Sequence, residues 1–286
     1  MARLDALNMF QSDGTTEVLL AEEYGKLIEN VFAGAVSTQL KNVDLSGDPM
    51  GGSVEAQRVL NSVSAAYGTA RAAGAGVGIE ANPVTVALDQ HKEIINEAEM
   101  FDLERIGLPA FLQRKAANNK YAMIKELDTA FFTEAYQQGS KVTTTATTEI
   151  GKLEELILAL ETVDSDFVDG IGRDMMGLVL SPTQHSAVRL EIDELPAQDN
   201  FYMRGAIGVF HSVPVFVSNH LPKATGQVVD AMVMAFGSVA QPVAVKDYGI
   251  NRIPLSTAVA TELFYDYGTK AVTEDLIFYI GDAYSA

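Results

Sequence analysis

The segment "LPAFLQRKAANNKYAMIKELDTAFFTEAYQQ" (residues 108–138) has the apolar spacing of one long amphipathic helix. Pro109 suits the first turn of this helix, and Gly139 suits its end. At about 1.5 Å of rise per residue, the helix is roughly 46 Å long, more than most helices of globular proteins. The sequence therefore predicts an elongated molecule with a helical spine. The broad apolar face carries Leu112, Ala116, Met123, Leu127, Ala130 and Phe131, whereas Arg114, Lys115, Asn118, Lys125 and Glu126 lie elsewhere on the helix.

The segment "TARAAGAGVGIEANPVTVAL" (residues 69–88) has a glycine-rich centre like that of a phosphate-binding loop. Its glycines follow the spacing G-x-G-x-G, which differs from the G-x-G-x-x-G of dinucleotide-binding loops. The Gly-Lys-Ser/Thr that ends a P-loop is absent as well. The β-branched run 84–88 indicates a strand after the glycines, and residues 53–67 indicate an extended segment before them. We therefore expect a long β-hairpin with a tip of small residues and no nucleotide site. The tip glycines are Gly74, Gly76 and Gly78.

Helix and strand signals alternate after the spine. A threonine-rich connection, "SKVTTTATTE" (140–149), leads to a second amphipathic helix. The run Leu178–Leu180 predicts a buried strand that enters another helix, with Ser181 as N-cap and Gln184 completing a capping box. The second helix has Ile150, Leu153, Ile157 and Leu160 on its apolar face.

The C-terminal part indicates short strands. Segments within 205–245 are rich in β-branched residues, which favours a sheet. Two further strands are expected within 259–281, joined by a turn over 265–269 that contains Gly268. The mixture of helices and strands places the chain in the α+β class.

Composition limits the function. The chain has 286 residues, 48% of them hydrophobic, which is typical of a soluble globular protein. The net charge of −18 argues against a role in coating DNA, because affinity for the phosphate backbone comes from clustered cations. There are no cysteines, and therefore no disulfides or thiolate zinc sites. No signal peptide or membrane-spanning segment is visible.

We find no pattern of catalytic residues. The four histidines (His91, His185, His211 and His220) lack metal-ligand spacing and are expected to be surface or partly buried polar groups. The G-x-S-x-G motif of serine hydrolases is absent. The acidic run 161–174 lacks the ligand order of a calcium loop and is expected to be solvated. The sequence thus predicts no catalytic residue, cofactor site or metal site, and a protein that is not an enzyme.

The order of elements resembles the major capsid protein of tailed bacteriophages, whose Hong Kong 97-type fold is shared with encapsulin shells. The phrases that carry the resemblance are "GLVLSPTQHSAV" (177–188), "RGAIGVFHSVPVFVSNHLP" (204–222), "MVMAFGSVAQPVAV" (232–245) and "ELFYDYGTKAVTEDLIFYI" (262–280). The resemblance implies an N-arm (1–45), an extended β-hairpin loop (46–90), a peripheral domain with the spine helix (91–144), an axial domain (145–245) and the closing strands of the peripheral domain (246–286).

The resemblance also implies a function. Copies of the chain would form hexamers and pentamers in an icosahedral virion that encloses double-stranded DNA without sequence-specific binding. The host cytoplasm would hold the protein before assembly, and portal, decoration and separate scaffolding proteins are possible partners. The loop tip would touch a neighbouring subunit through Arg71, Gly74, Gly76 and Gly78.

The sequence departs from the family in one respect. Some members join a loop lysine to an asparagine near the C-terminal strands. Here the only cations within 46–90 are Arg58 and Arg71, and Asn251 is the last asparagine. We therefore predict no autocatalytic cross-link.

Two alternatives stay open at this point. An encapsulin-type compartment loaded with cargo would keep the fold and change the role. A soluble α/β hydrolase with an unrecognised Ser/His/Asp site would change both, and it would be a monomer or a small oligomer.

Overall fold

The computed structural model describes residues 35–46, 52–60, 81–98, 108–194, 208–224, 227–253 and 258–281, together with Ala66 and Ser256. We number the helices and strands of these ranges in chain order. The helices are α1 (Ser37–Leu40), α2 (Leu108–Gln138), α3 (Glu149–Glu161) and α4 (Pro182–Glu194). The strands are β1 (Ser53–Val59), β2 (Ala81–Ala87), β3 (Gln90–Ala98), β4 (Ser140–Lys141), β5 (Met176–Leu180), β6 (Val209–Phe210), β7 (Val213–Val217), β8 (Lys223–Ala224), β9 (Gln227–Ala235), β10 (Val239–Ala240), β11 (Val243–Arg252), β12 (Val259–Tyr267), β13 (Lys270–Ala271) and β14 (Ile277–Gly281).

Helix α2 confirms the predicted spine, with the predicted limits. Met123, Leu127 and Phe131 are buried, as expected from the helical wheel, and Lys125 is exposed. The side chains of 108–117 lie outside the described part of the chain. The buried face is wider than predicted, because Asp128, Phe132, Ala135 and Tyr136 are buried as well.

A large sheet forms the main body, with strand order β4-β14-β9-β5-β7-β6 and β8 paired to β9. Strand β9 shows how this sheet is covered on both faces. Met232 and Met234 pack with Phe132 and Tyr136 of α2, whereas Ala231 and Val233 face the cluster that contains α3. Alternate residues of a strand point to opposite faces, so burial on both faces gives the continuous apolar run of 231–235. The predicted domain limits stay predictions.

A smaller antiparallel sheet has the order β11-β12-β3 and packs on an earlier part of α2. Leu263, Tyr265 and Tyr267 of β12 form a cluster with Met123 and Leu127. The spine helix thus packs on the small sheet through its middle and on the large sheet through its C-terminal third.

The prediction that the last two strands form one hairpin was wrong. Strand β12 pairs with β11 and β3, whereas β14 pairs antiparallel with β9 and parallel with β4. The two strands separate because their apolar faces pack on different parts of α2. Leu263 packs near Leu127, whereas Tyr279 contacts Tyr136, with ring centroids 4.7 Å apart.

The N-terminus of α4 confirms part of the predicted cap. Ser181 Oγ accepts a hydrogen bond from the backbone N–H of Gln184 at 3.1 Å. The prediction of a capping box was wrong, because the side chain of Gln184 does not bond to the backbone N–H of Ser181. Gln184 Nε2 donates to Glu149 Oε2 at 2.6 Å, and the Ser181 N–H donates to the carbonyl of Asp230. Gln184 therefore binds helix α3 through Glu149, and not the N-cap residue of its own helix. Helix α3 lies where it was predicted, and Leu153, Ile157 and Leu160 are buried.

Helix α1 is attached to the spine by a buried carboxylate. Asp128 is only 2% exposed, and its Oδ1 accepts hydrogen bonds from Ser37 N at 3.2 Å and Ser37 Oγ at 2.6 Å. Its Oδ2 lies 3.2 Å from Nδ1 of His220. A buried carboxylate is stable only when such donors surround it, so Asp128 joins three separate parts of the chain.

We predict that Asp128→Ala lowers the free energy of unfolding by about 3 kcal/mol, because the donors of Ser37 lose their acceptor inside the core. Asp166→Ala, at an exposed position, is the matched control and should change the stability by less than about 0.5 kcal/mol. Denaturant unfolding of the purified protein measures both. Equal losses in the two variants would contradict the role of Asp128.

Candidate assembly surface

The loop tip predicted to touch a neighbouring subunit lies outside the described residues. This applies to Arg71, Gly74, Gly76 and Gly78, whose contacts stay predictions. The two arms below the tip are described. They pair antiparallel as β1 and β2, with Ser53 opposite Ala87 and Val59 opposite Ala81. The register confirms the predicted hairpin arms.

The two-stranded ribbon has two different faces. Val54, Ala56 and Arg58 are half-buried, and Val86 opposite Val54 is buried. This face therefore lies against the subunit's own body. The other face is exposed along most of its length and carries Ser53, Glu55, Gln57, Val59, Pro83, Thr85 and Ala87. Val59 on this face is 54% exposed, so the outer face is available to a second chain.

Backbone contacts fix the root of the ribbon. The N–H of Leu88 donates to the carbonyl of Gly52 at 2.9 Å, and Lys270 Nζ donates to the carbonyl of Thr85 at 3.1 Å. Gly268 lies directly against this root, since a Cβ built on it would be 1.8 Å from the carbonyl oxygen of Ala87. From the sequence, Gly268 was expected to lie in a hairpin turn. Its structural role is instead to let two chain segments approach closely.

Arg58 attaches the half-buried face of the ribbon to the body. Its Nη1 lies 2.7 Å from Oδ1 of Asp275, and its Nη2 donates to Oδ2 at 2.9 Å. Its guanidinium carbon is 4.0 Å from the ring centroid of Phe167. These contacts of Arg58 could not be predicted from the sequence, because its partners lie more than one hundred residues away along the chain.

A cleft of 610 Å³ runs beside α2, where polar side chains connect the spine to the small sheet. Glu126 accepts hydrogen bonds from the hydroxyls of Tyr265 at 2.6 Å and Tyr267 at 3.1 Å, and Lys92 Nζ lies 3.1 Å from it. Burial alone would raise the pKa of Glu126, but these hydrogen bonds and the charge of Lys92 outweigh it and hold that pKa below its ordinary value. Burial is the main cause of the raised pKa of Glu134 in the same cleft. The cleft carboxylates thus bind structural partners.

The histidines make separate polar contacts. His91 Nδ1 lies 2.7 Å from Asp266, and His211 Nδ1 lies 2.7 Å from Glu154. His185 is half-buried in the first turn of α4. Across the ranges that the structure describes, no group of three or more His, Asp or Glu side chains is placed to hold a metal ion.

The acidic run 161–174 is closed by its own hydrogen bonds. Arg173 donates to Glu161 at 2.7 Å and to Glu154 at 2.6 Å, and the N–H of Ser165 donates to the carbonyl of Val168. The aspartates of the run are exposed, as expected for a solvated loop; they are Asp164, Asp166, Asp169 and Asp174. None of the helices in the described ranges is long and apolar enough to cross a membrane.

Solved structures similar to this chain come from phage particles and a virus-like particle. A chain of Mycobacterium phage Che8 is 17% identical, with a TM-score of 0.65 over 87% of this chain and 90% of that one. A chain from the capsid structure of the cyanophage P-SCSP1u is 13% identical, with a TM-score of 0.64 over 88% and 89%. A chain from the crystal structure of a virus-like particle from Pyrococcus furiosus is 12% identical, with a TM-score of 0.56 over 89% and 96%. No family model and no curated protein matches the sequence.

These likenesses, together with the spine helix, the paired loop arms and the two sheets, define the class of fold. The chain is an α+β protein with the Hong Kong 97-type capsid fold, as the resemblance in the sequence implied. The coverage of almost nine-tenths of each chain shows that the likeness extends over the whole architecture and does not rest on one motif.

We predict that Gly268→Ala lowers the free energy of unfolding by about 2 kcal/mol, because the new methyl group forces the ribbon root away from the body. Gly208→Ala is the matched control, since a Cβ at Gly208 meets no atom within 4 Å. Thermal and denaturant unfolding of the unassembled subunit measure both changes. If Gly268→Ala is as stable as Gly208→Ala, Gly268 does not lie close enough to the carbonyl of Ala87 for a methyl group to displace the ribbon root.

Proposed function

We propose that this protein is the major capsid protein of a tailed double-stranded DNA bacteriophage. Copies of the chain self-assemble into an icosahedral head that encloses the genome. The observation that carries the proposal is the β1–β2 ribbon, which has its inner face on the subunit and its outer face exposed, within a capsid fold. The role is structural and not catalytic, which the capsid-type neighbours support.

An isolated two-stranded ribbon is only marginally stable in water. Contact with its own subunit buries apolar surface on the inner face of this ribbon and stabilises it. The outer face contributes no such free energy until another chain covers it. Contact with a second copy adds free energy that a single subunit does not have, so stability becomes a property of the assembly. Hexamers and pentamers of this chain provide such contacts in a closed shell.

The charge of the chain fits a container for DNA. With 38 acidic and 20 basic residues, the average surface repels a phosphate backbone. A shell of this kind encloses the genome without binding particular sequences. A portal, decoration proteins and a separate scaffolding protein complete the set of proposed partners, and the protein would pass from the host cytoplasm into the virion.

A second function has one observation in its favour. The virus-like particle from Pyrococcus furiosus has a similar chain, which supports an encapsulin-type compartment as the alternative. Both functions need a closed shell, and they differ in its contents. Double-stranded DNA inside particles from infected cells supports the phage capsid, whereas a co-purifying cargo enzyme supports the compartment.

The size of the purified protein tests the proposal. We expect hollow particles of megadalton mass in light scattering and negative-stain electron microscopy, because the exposed ribbon faces bind only when copies assemble. Co-expression with a scaffolding protein is the second condition, for the case in which the chain alone forms no shells. A single species of 30.7 kDa, the mass of one chain, under both conditions would overturn it and favour a soluble enzyme.

We predict that Val59→Asp lowers the yield of closed shells at least about tenfold, because a buried, unpaired carboxylate in the contact costs more than 1.4 kcal/mol at each copy. Val59→Ala is the control, since it removes the side chain without adding a charge. Both variants should unfold at nearly the wild-type temperature as subunits, because Val59 is exposed there. Normal shell yield for Val59→Asp would show that the outer face of the ribbon is not a contact.

A further inference from the structure

The contact of Arg58 with Asp275 and Phe167 lies on the inner face of the ribbon, within one subunit. Nη1 and Nη2 of the guanidinium lie 2.7 and 2.9 Å from Oδ1 and Oδ2 of the carboxylate, and the contact of Nη2 with Oδ2 is a hydrogen bond. The side chains of Arg58 and Asp275 are 18% and 24% exposed, so water and salt weaken this pair less than a surface pair. Ser165 Oγ also donates to Asp275 at 2.8 Å, which holds the carboxylate in place.

The partners of Arg58 belong to firmly packed parts of the body. Asp275 lies in the 3-10 turn Glu274–Leu276, directly before β14 of the large sheet, and the next residues, Leu276 and Ile277, are buried. Phe167 lies in the turn closed by the hydrogen bond from Ser165 to Val168. Arg58 therefore ties the ribbon to the large sheet, whereas Lys270 and Gly268 tie its root near β13.

Two separate attachments fix a direction as well as a position. Arg58 lies five residues along β1 from Ser53, or about 17 Å at 3.3 Å per residue. If the root alone were fixed, the ribbon could pivot about it. The second attachment at Arg58 stops this movement, because the ion pair with Asp275 and the contact with the ring of Phe167 restrict the strand in two directions.

The direction matters because the predicted hairpin continues beyond Val59 and Ala81. Residues 60–80 allow about ten residues for each arm, or at most about 33 Å of reach. With the further length of about 20 Å along β1, the far end lies at most about 53 Å from the root, so a pivot of about 10° there would move it by about 9 Å, which is more than a well-packed interface tolerates. The direction of the ribbon must therefore be set close to its root.

We propose that Arg58 is a positioning residue for assembly: by binding Asp275 and Phe167 of its own subunit, it sets the direction in which the β1–β2 ribbon reaches a second copy of this chain. The inference rests on the proposed shell function. Arginine suits the position because its planar fork pairs with both carboxylate oxygens and its flat face stacks on an aromatic ring. Burial alone would raise the pKa of Asp275, but the hydrogen bonds from Arg58 and Ser165 and the charge of Arg58 hold it below its ordinary value, so the carboxylate of Asp275 is charged at neutral pH.

Two variants test the proposal with a matched control. Arg58→Met keeps an unbranched apolar stem and removes the guanidinium, and Arg58→Lys keeps the charge without the planar fork of the guanidinium. Lys152→Met is the control, because it removes an ion pair of 2.7 Å with Glu149 on α3, away from the ribbon. Melting temperatures of the unassembled subunits show that all three variants fold.

Amide hydrogen exchange of the unassembled subunit is the first measurement, and it does not depend on shell formation. In Arg58→Met the amides of 53–59 and 81–87 should exchange roughly tenfold faster, while the amides of β9 stay at the wild-type rate. In Arg58→Lys the ribbon amides should exchange at a rate between those of the wild type and Arg58→Met. In Lys152→Met they should exchange at the wild-type rate. If the ribbon amides of Arg58→Met exchange at the wild-type rate, Arg58 does not attach the ribbon to the body.

The second measurement is electron microscopy of assembled particles. Arg58→Met should give fewer closed shells and more irregular particles than Lys152→Met, although both subunits fold. Shells of normal yield and size from Arg58→Met would overturn the positioning role and leave the proposed function intact. If the wild-type chain forms no shells with or without a scaffolding protein, the proposed function fails, and the exchange measurement still tests the attachment of the ribbon.

Discussion

The packing of helix α2 on two sheets is the interaction on which the rest of the molecule depends. Met123 and Leu127 pack on the small sheet, and Phe132 and Tyr136, about two turns later, pack on the large sheet. A single helix is a stiff connection between them, because its backbone hydrogen bonds are all internal. Asp128 lies between these two contacts and binds Ser37 at the start of α1, so three parts of the chain take their positions from one rod.

The ribbon extends this frame beyond the subunit. Its root is held near β13, its inner face is bound through Arg58, and its outer face is exposed. A segment of this kind is complete on one side only, which is a physical reason for assembly rather than a sign of poor folding. The net charge of −18 fits the proposed role of a container for DNA, because such a container gains nothing from binding its contents tightly.

Some of this could be predicted because the signals are local. The limits of α2 and the arms of the ribbon follow from periodicity and β-branching, and Ser181 was found from its place before Pro182. Strand β3 was missed, since its two adjacent isoleucines do not alternate with polar residues. The pairing of the last strands was wrong, because two strands close in sequence were assumed to be partners.

By itself the sequence determined the limits of α2, the arms of the ribbon, the class of fold and the absence of cysteine chemistry, because these properties depend on residue type and short-range spacing. Only the tertiary structure decided which side chains meet. The carboxylate of Asp275 is 217 positions from Arg58, and Gly268 meets Ala87 across a similar gap. Contacts between residues so far apart in the sequence are set by the packing of α2 on two sheets, and no local pattern encodes them.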